Sequence, residues 1–176
     1  LSWASGLAVA RLQFGTGHPD EHLATLLREV GLSLSEDARV TGAPTRGFAV
    51  SGERCPDAIP TLVAWATKLP AASVFTHLDI LRHKESDRLA GIVELLGAAG
   101  LPFELRGTTL TVRPGAMTRE LRFDARDDHR LAMSAAVLAR LHNRRLLLKG
   151  AESVSKSFPG FWREAAKAGL RWESLE

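Results

Sequence analysis

The chain has 176 residues, 45% of them apolar and 24% charged, the size and make-up of one globular domain with ample material for a core. Its 23 Lys and Arg against 20 Asp and Glu leave a formal charge of +3, too little to imply nucleic acid as a partner unless it is gathered on one face. A single cysteine, Cys55, excludes an intramolecular disulfide or paired-thiol site, and no apolar run approaches the roughly 18 residues of a membrane span, so a cytoplasmic protein without a membrane partner is expected.

The chain opens without Met, in the small-residue apolar run from Trp3 to Leu12, and has neither a basic leader nor a cleavage pattern; it is expected to be cut from something longer. Residues 19–31 show apolar positions at helical spacing, acids in the first turn and a glycine stop, and are expected to be helical. Strands are expected around 33–40 and 47–50, with a turn-rich stretch at 41–46 between them. A second helix is expected to open at Pro56 and Asp57 and run to Ala66, followed by a strand over 72–78.

The same order then returns, with a helix over 85–99 stopped by Gly100, strands over 103–106 and 109–113 joined at Gly107, and a helix opening at Asp127 and Asp128. Leu23 and Ala24 match Leu89 and Ala90, Gly31 and Leu32 match Gly100 and Leu101, and Pro56 and Asp57 match Asp127 and Asp128, an internal repeat of about 66 to 71 residues. A third copy is expected to begin with a helix from Ser157 to Gly169 and to end in a strand near 170–173. The whole chain, 1–176, is therefore expected to form one domain of units at about 1–55, 56–125 and 126–176. The run from Ala132 to Ala139 has no strong polar face, which places that helix among others and implies an α/β (α+β) architecture with helices inside and sheets outside.

Four strand-to-helix junctions carry the polar constellations. In the segment from Arg82 to Arg88, Lys84 and Arg88 could share an anion at a helix start while Glu85 carries a proton; on spacing alone, Glu85 and Arg88 could equally be a surface ion pair. At Asp127, Asp128, His129 and Arg130, the guanidinium offers a planar fork for carboxylate or phosphate, Asp128 and His129 could orient it, and Asp127 reads as a plain helix cap. Lys156 precedes the rigid Phe158-Pro159 turn and is either a point-charge donor or a solvated loop residue. Asp57, next to Pro56, reads as a first-turn or capping residue that could also accept a hydroxyl proton, while Cys55 reads as a small core residue.

Together, the strings Pro56-Asp57-Ala58, Lys84-Glu85-Ser86-Asp87-Arg88-Leu89, Asp128-His129-Arg130-Leu131-Ala132-Met133 and Lys156-Ser157-Phe158-Pro159 resemble the enolpyruvyl transferases, in particular the EPSP synthase family. The likeness runs from Ser2 to Trp162 and is weakest before Pro56. It implies a domain of an inside-out α/β barrel type built from βαβαββ units. The implied reaction moves the enolpyruvyl group of phosphoenolpyruvate to the 5-hydroxyl of shikimate 3-phosphate through a tetrahedral adduct that expels phosphate, without metal or organic cofactor, on the way to chorismate and the aromatic amino acids.

By the same resemblance, Asp57 looks like the base at the 5-hydroxyl and Glu85 like the acid and base at the methylene carbon. Arg88, Arg130 and Lys156 look like a cationic clamp on phosphoenolpyruvate, Lys84 like a contact on the shikimate side, and Asp128 and His129 like supports of the clamp. Ile80, His83 and Asp127 depart from the residues usual in the family at those places. The family's fold has two similar domains, and the sequence supplies about one, so the implied partners are both substrates and an amino-terminal domain, in a monomeric full-length enzyme. The alternatives within reach of the same strings are a UDP-N-acetylglucosamine enolpyruvyl transferase or a non-catalytic binding module that keeps the fold.

Overall fold

The computed structural model describes residues 22–35 and 39–172. The apolar run from Trp3, the expected helix start at 19–21, the centre of the first expected strand at 36–38 and the end of the last one at 173 lie outside the described residues. In chain order the elements are α1 (His22–Glu29), β1 (Leu32–Leu34), β2 (Val40–Gly42), β3 (Ala49–Ser51), α2 (Ile59–Ala66), β4 (Ser73–Thr76), α3 (Arg88–Ala99), β5 (Phe103–Arg106), β6 (Thr109–Val112), β7 (Leu121–Asp124), α4 (His129–Leu141), β8 (Leu146–Lys149) and α5 (Phe161–Lys167). Short 3-10 helices, Leu78–His83 and Ala151–Lys156, precede α3 and α5.

From β3 to β6 the succession is βαβαββ, and its strands form one sheet in the order β3-β4-β6-β5, with β3 and β4 parallel and the other neighbours antiparallel. β7, α4, β8, the 3-10 helix and α5 then repeat the first part of that succession, and β7 and β8 pair in parallel as β3 and β4 do. The elements recur at offsets of about 66 to 73 residues, so the repeat read in the sequence is also a repeat of structure.

The differences from expectation lie mostly at helix starts. α2 opens at Ile59 rather than Pro56, because the chain is still turning through 52–58; Pro60 then falls within the first helical turn, where its missing N–H is not needed. α3 opens at Arg88 rather than Glu85, since the Asp87 carboxylate accepts the Ala90 N–H at 2.9 Å and caps the helix there. α4 is capped by Asp128, not Asp127, and α5 begins at Phe161. The stretch expected as one strand over 33–40 holds the end of β1 and the start of β2, which pair antiparallel, and residues 170–172 are not a strand. β7 and β8 lie outside the sequence expectation: each is four residues, with Arg122 and Asp124 inside β7 and Arg144, Arg145 and Lys149 in or before β8, so charge masks the strand.

A continuous core from Leu26 to Ala165 joins all these elements. Its centre is the packing of α2 on α4. As the uniform run from Ala132 suggested, α4 buries Ala132, Ser134, Ala135, Ala136, Val137, Leu138 and Ala139. The two helices run parallel and touch at three heights: Asp57 with Arg130 at 3.3 Å, Thr61 with Ser134 at 3.1 Å, and Thr67 with His142 at 2.9 Å. No helix among the described residues is long and apolar enough to cross a membrane.

α3 meets α4 through Gly91, where an added Cβ would stand 2.3 Å from Cδ1 of the fully buried Leu131. Gly91→Ala should therefore cost about 1–3 kcal/mol, read as a lower urea midpoint, because the fully buried Leu131 side chain must leave its place to admit the methyl group.

At the far end of the helix pair, the Met117 N–H donates to His142 Nδ1 at 3.3 Å, and Thr67 Oγ1, 2.9 Å from Nε2, donates to the Ala64 carbonyl at 2.7 Å. A neutral imidazole with its proton on Nε2 satisfies both neighbours. Burial, with Lys68 and Arg144 nearby, accordingly lowers its pKa from 6.5 to about 4. A histidine depressed in this way adds stability that is complete above the unfolded value and is lost as pH falls through the folded one. The unfolding free energy should thus drop between pH 6.5 and about 4, with His142→Gln flattening that drop, and the imidazole should titrate near 4 by NMR.

Candidate active site

Arg88 is the first residue of α3, and its side chain has 0% exposure. A guanidinium removed from water must be paired and hydrogen-bonded, and here three carboxylates do so. Nη1 donates to Asp57 Oδ1 at 3.0 Å, Nε donates to Asp128 Oδ2 at 3.0 Å, and Nη2 donates to Glu85. The surface ion pair left open by spacing is therefore not what forms: Glu85 is exposed, but its partner is wholly buried.

Asp128 is equally inaccessible and has two tasks. One oxygen caps α4 by accepting the N–H groups of Arg130 at 2.8 Å and Leu131 at 3.2 Å, while the other takes Arg88 and the Ser86 hydroxyl, the latter at 2.9 Å. Burial alone would raise its pKa, but Arg88 and Ser86 outweigh that and hold it below the usual carboxylate range.

Asp57 lies in the turn before α2 and does not cap it, contrary to expectation; Ala58 is at the cap position. Its carboxylate accepts from Arg88 on one oxygen and from Arg130 Nη2 at 3.3 Å on the other, with Lys84 Nζ at 3.7 Å. Partial burial opposes ionisation, and the charges of Arg130, Lys84 and Arg88 overcome it, so its pKa also lies below the ordinary value. The stability given by both carboxylates is complete above their unfolded value of 3.8 and fades as pH falls through their lower folded values.

Lys156, half-exposed at the end of the second 3-10 helix, binds the carboxylate of Asp127, the neighbour of Asp128 in sequence, and makes no hydrogen bond or ion pair with Arg88 or Asp57 among the described residues. His129 is buried at the first position of α4, and its Nδ1, like Nε of Arg130, has no hydrogen-bond partner among the described residues. Cys55 is buried, as read from the sequence, and Ile80 and His83 are exposed on the first 3-10 helix. The starts of α2, α3 and α4 thus converge with their positive dipole ends on one set of carboxylates. No cluster of three or more His, Cys, Asp or Glu able to hold a metal ion occurs among the described residues.

Two participants escaped the sequence reading. Ser86 was passed over although it lies inside the most charged string, and Asp127 was taken for a cap, whereas its φ of +62° turns it away from the helix and toward Lys156.

Removing a partner from a buried pair strands the other charge. Asp128→Ala should cost about 3–5 kcal/mol in denaturant unfolding, and Asp57→Ala clearly less, because Arg88 keeps Asp128 and Glu85. Asp128→Asn, which retains a cap acceptor, should fall between them.

Comparison with known proteins places the chain in a family and a fold. Residues 9–165 match the family model of EPSP synthase (3-phosphoshikimate 1-carboxyvinyltransferase). The 3-phosphoshikimate 1-carboxyvinyltransferase of Prochlorococcus marinus strain MIT 9303 is 36% identical over 129 residues, which are 72% of this chain and 29% of that protein. Among solved structures, an EPSP synthase from Acinetobacter baumannii superposes with a TM-score of 0.69 at 22% identity, over 86% of this chain and 39% of its own. The enolpyruvyl transferase NikO from Streptomyces tendae gives 0.62 at 20% identity, over 84% and 34%. The fold is thus that of the enolpyruvyl transferases, and the chain spans well under half the length of these proteins. With the family model matched across nearly the whole sequence, the chain belongs to the EPSP synthase (3-phosphoshikimate 1-carboxyvinyltransferase) family.

Proposed function

We propose that this chain is the phosphoenolpyruvate-handling domain of a 3-phosphoshikimate 1-carboxyvinyltransferase, a single unit with its helices inside and its sheets outside that works with a second domain. The observation that carries the reading is the gathering of Asp57, Glu85 and Asp128, from three separate segments, on the one buried guanidinium of Arg88, with Lys84 and Arg130 on the same Asp57.

In this reading the 5-hydroxyl of shikimate 3-phosphate attacks C2 of phosphoenolpyruvate. Asp57 takes the hydroxyl proton, and Glu85, exposed at the rim, delivers a proton to the methylene carbon. The tetrahedral adduct then returns a methyl proton to Glu85 as the bond from C2 to the phosphate oxygen breaks and phosphate leaves. The part-exposed Arg130 and Lys156 meet the charge of the phosphoenolpyruvate carboxylate and phosphate, Arg88 joins them only where Glu85 or Asp57 gives up its guanidinium to the substrate, and Lys84 faces the shikimate side. Fixed cations of this kind stabilise an adduct without reorganising, which is the larger part of such catalysis. Asp128 and His129 carry the cations from behind.

The lowered pKa of Asp57 makes it a weak base while Arg130 and Lys84 lie against it. An anion that draws those two cations toward itself would leave Asp57 more basic, so substrate binding would itself prepare the proton acceptor.

Mixing the chain with the complementary amino-terminal domain should give phosphate release from phosphoenolpyruvate plus shikimate 3-phosphate, and Glu85→Ala or Arg130→Ala should lower that rate about 100-fold or more. A folded, paired mixture that releases none would overturn the reading. Release that depends on UDP-N-acetylglucosamine instead would favour the sister reaction.

A further inference from the structure

We propose that Asp127 is a positioning residue of this anion site: its carboxylate binds Lys156, and an incoming phosphate group must displace it. The proposal rests on the reading of Lys156 as part of the clamp. It names a competitor for that clamp within the chain itself.

The contact is fixed by the backbone. Parallel pairing carries β7 and β8 together as far as Asp124 opposite Lys149, and the Ala125 N–H continues the ladder to the Lys149 carbonyl at 3.0 Å. The chain then reverses through Arg126 and Asp127, at φ of +51° and +62°, and closes with the Asp128 N–H on the Ala125 carbonyl at 2.9 Å. Beneath this turn lies Gly150, where an added Cβ would come within 3.5 Å of the Asp127 N atom. Two consecutive left-handed residues that are not glycine are unfavourable by themselves, and the sheet and the Asp128 cap hold them there. The result carries the Asp127 side chain to the Lys156 ammonium, which also donates to the Asp127 carbonyl at 3.4 Å.

This pair differs from the others in the cluster. Arg88 and Asp128 are closed to water, and Asp57 is shared among three cations. The carboxylate of Asp127 is 70% exposed and the Lys156 side chain 52%, so their attraction is that of a surface ion pair and can be exchanged. The charges also balance: Lys84, Arg88, Arg130 and Lys156 are met by Asp57, Glu85, Asp127 and Asp128. Of these carboxylates, Asp127 is the one whose loss frees an exposed cation without uncovering a buried one. The turn itself requires only a residue at ease with positive φ, which Asn and Gly provide as well.

The test uses the chain paired with its amino-terminal domain and inorganic phosphate as the probe, with binding followed by NMR on the Lys156 ε-methylene. Replacing Asp127 by Asn keeps the turn and removes the competitor, so phosphate should bind about two- to five-fold tighter, the range expected for one exposed ion pair. Asp127→Glu, which restores the charge, should return affinity toward the original, a reversal that a purely structural role would not produce. In the assay the KM for phosphoenolpyruvate should fall by a similar factor with Asp127→Asn. Unchanged or weaker phosphate binding in Asp127→Asn, and likewise in Asp127→Gly if the first variant folds poorly, would overturn the proposal. Tighter phosphate binding in a complex that does not turn over would uphold it while the enzymatic reading failed.

Discussion

A positive charge with no access to water has to be neutralised by the chain that buries it, and this condition on Arg88 organises the structure. Its guanidinium draws Asp57 from the turn before α2, Glu85 from the segment before α3 and Asp128 from the start of α4. None of these segments is near the others in sequence, so the ion cluster is a tertiary constraint that the hydrophobic core alone would not impose. Apolar packing can bring the helices together, but it is nearly indifferent to a small shift along their axes. The directional donors of Arg88 are not.

Much of this was legible beforehand because strong local signals were present. The glycine stops at Gly31, Gly100 and Gly107, all at positive φ, fixed the rhythm of the repeat, and the apolar run from Ala132 marked the buried helix. The four charged strings identified the site because polar residues recurred at strand-to-helix junctions, which the repeat brings to one end of the helices. What remained hidden depended on three-dimensional pairing. β7 and β8 are too short to alternate recognisably, and they are strands because each completes the other's hydrogen bonds. That Arg88 would be sealed from water could not be seen from a string as charged as the one around it. Ser86 acquires its role only because Asp128 lies within 2.9 Å.

The two ends of the α2 and α4 pair show how differently polar groups can be used in one scaffold. At the site, Asp57 and Asp128 are held ionised by cations, in a set whose charges cancel but whose outer members stay accessible. At the other end, burial, with Lys68 and Arg144 nearby, holds His142 neutral, and its ring hydrogen-bonds Thr67 and Met117. The site end is thus built to exchange partners, and the far end to keep them.

The three contacts between those helices join positions of consecutive units at nearly the same height, like rungs between two rails. Rungs of this kind resist sliding, since a shift along the axis would break all three together and drag α4 out of step with the Asp128 cap. Opening at the site end is resisted as well, because the buried Arg88 ties Asp57 before α2 to Asp128 at the start of α4, while the rung from Asp57 to Arg130 is partly solvated. The pair is therefore braced at both ends, by ions at the site and by Thr67 with His142 at the other. A deformation that widens the site would change the gap between its carboxylates and cations while leaving the register of every helix unaltered.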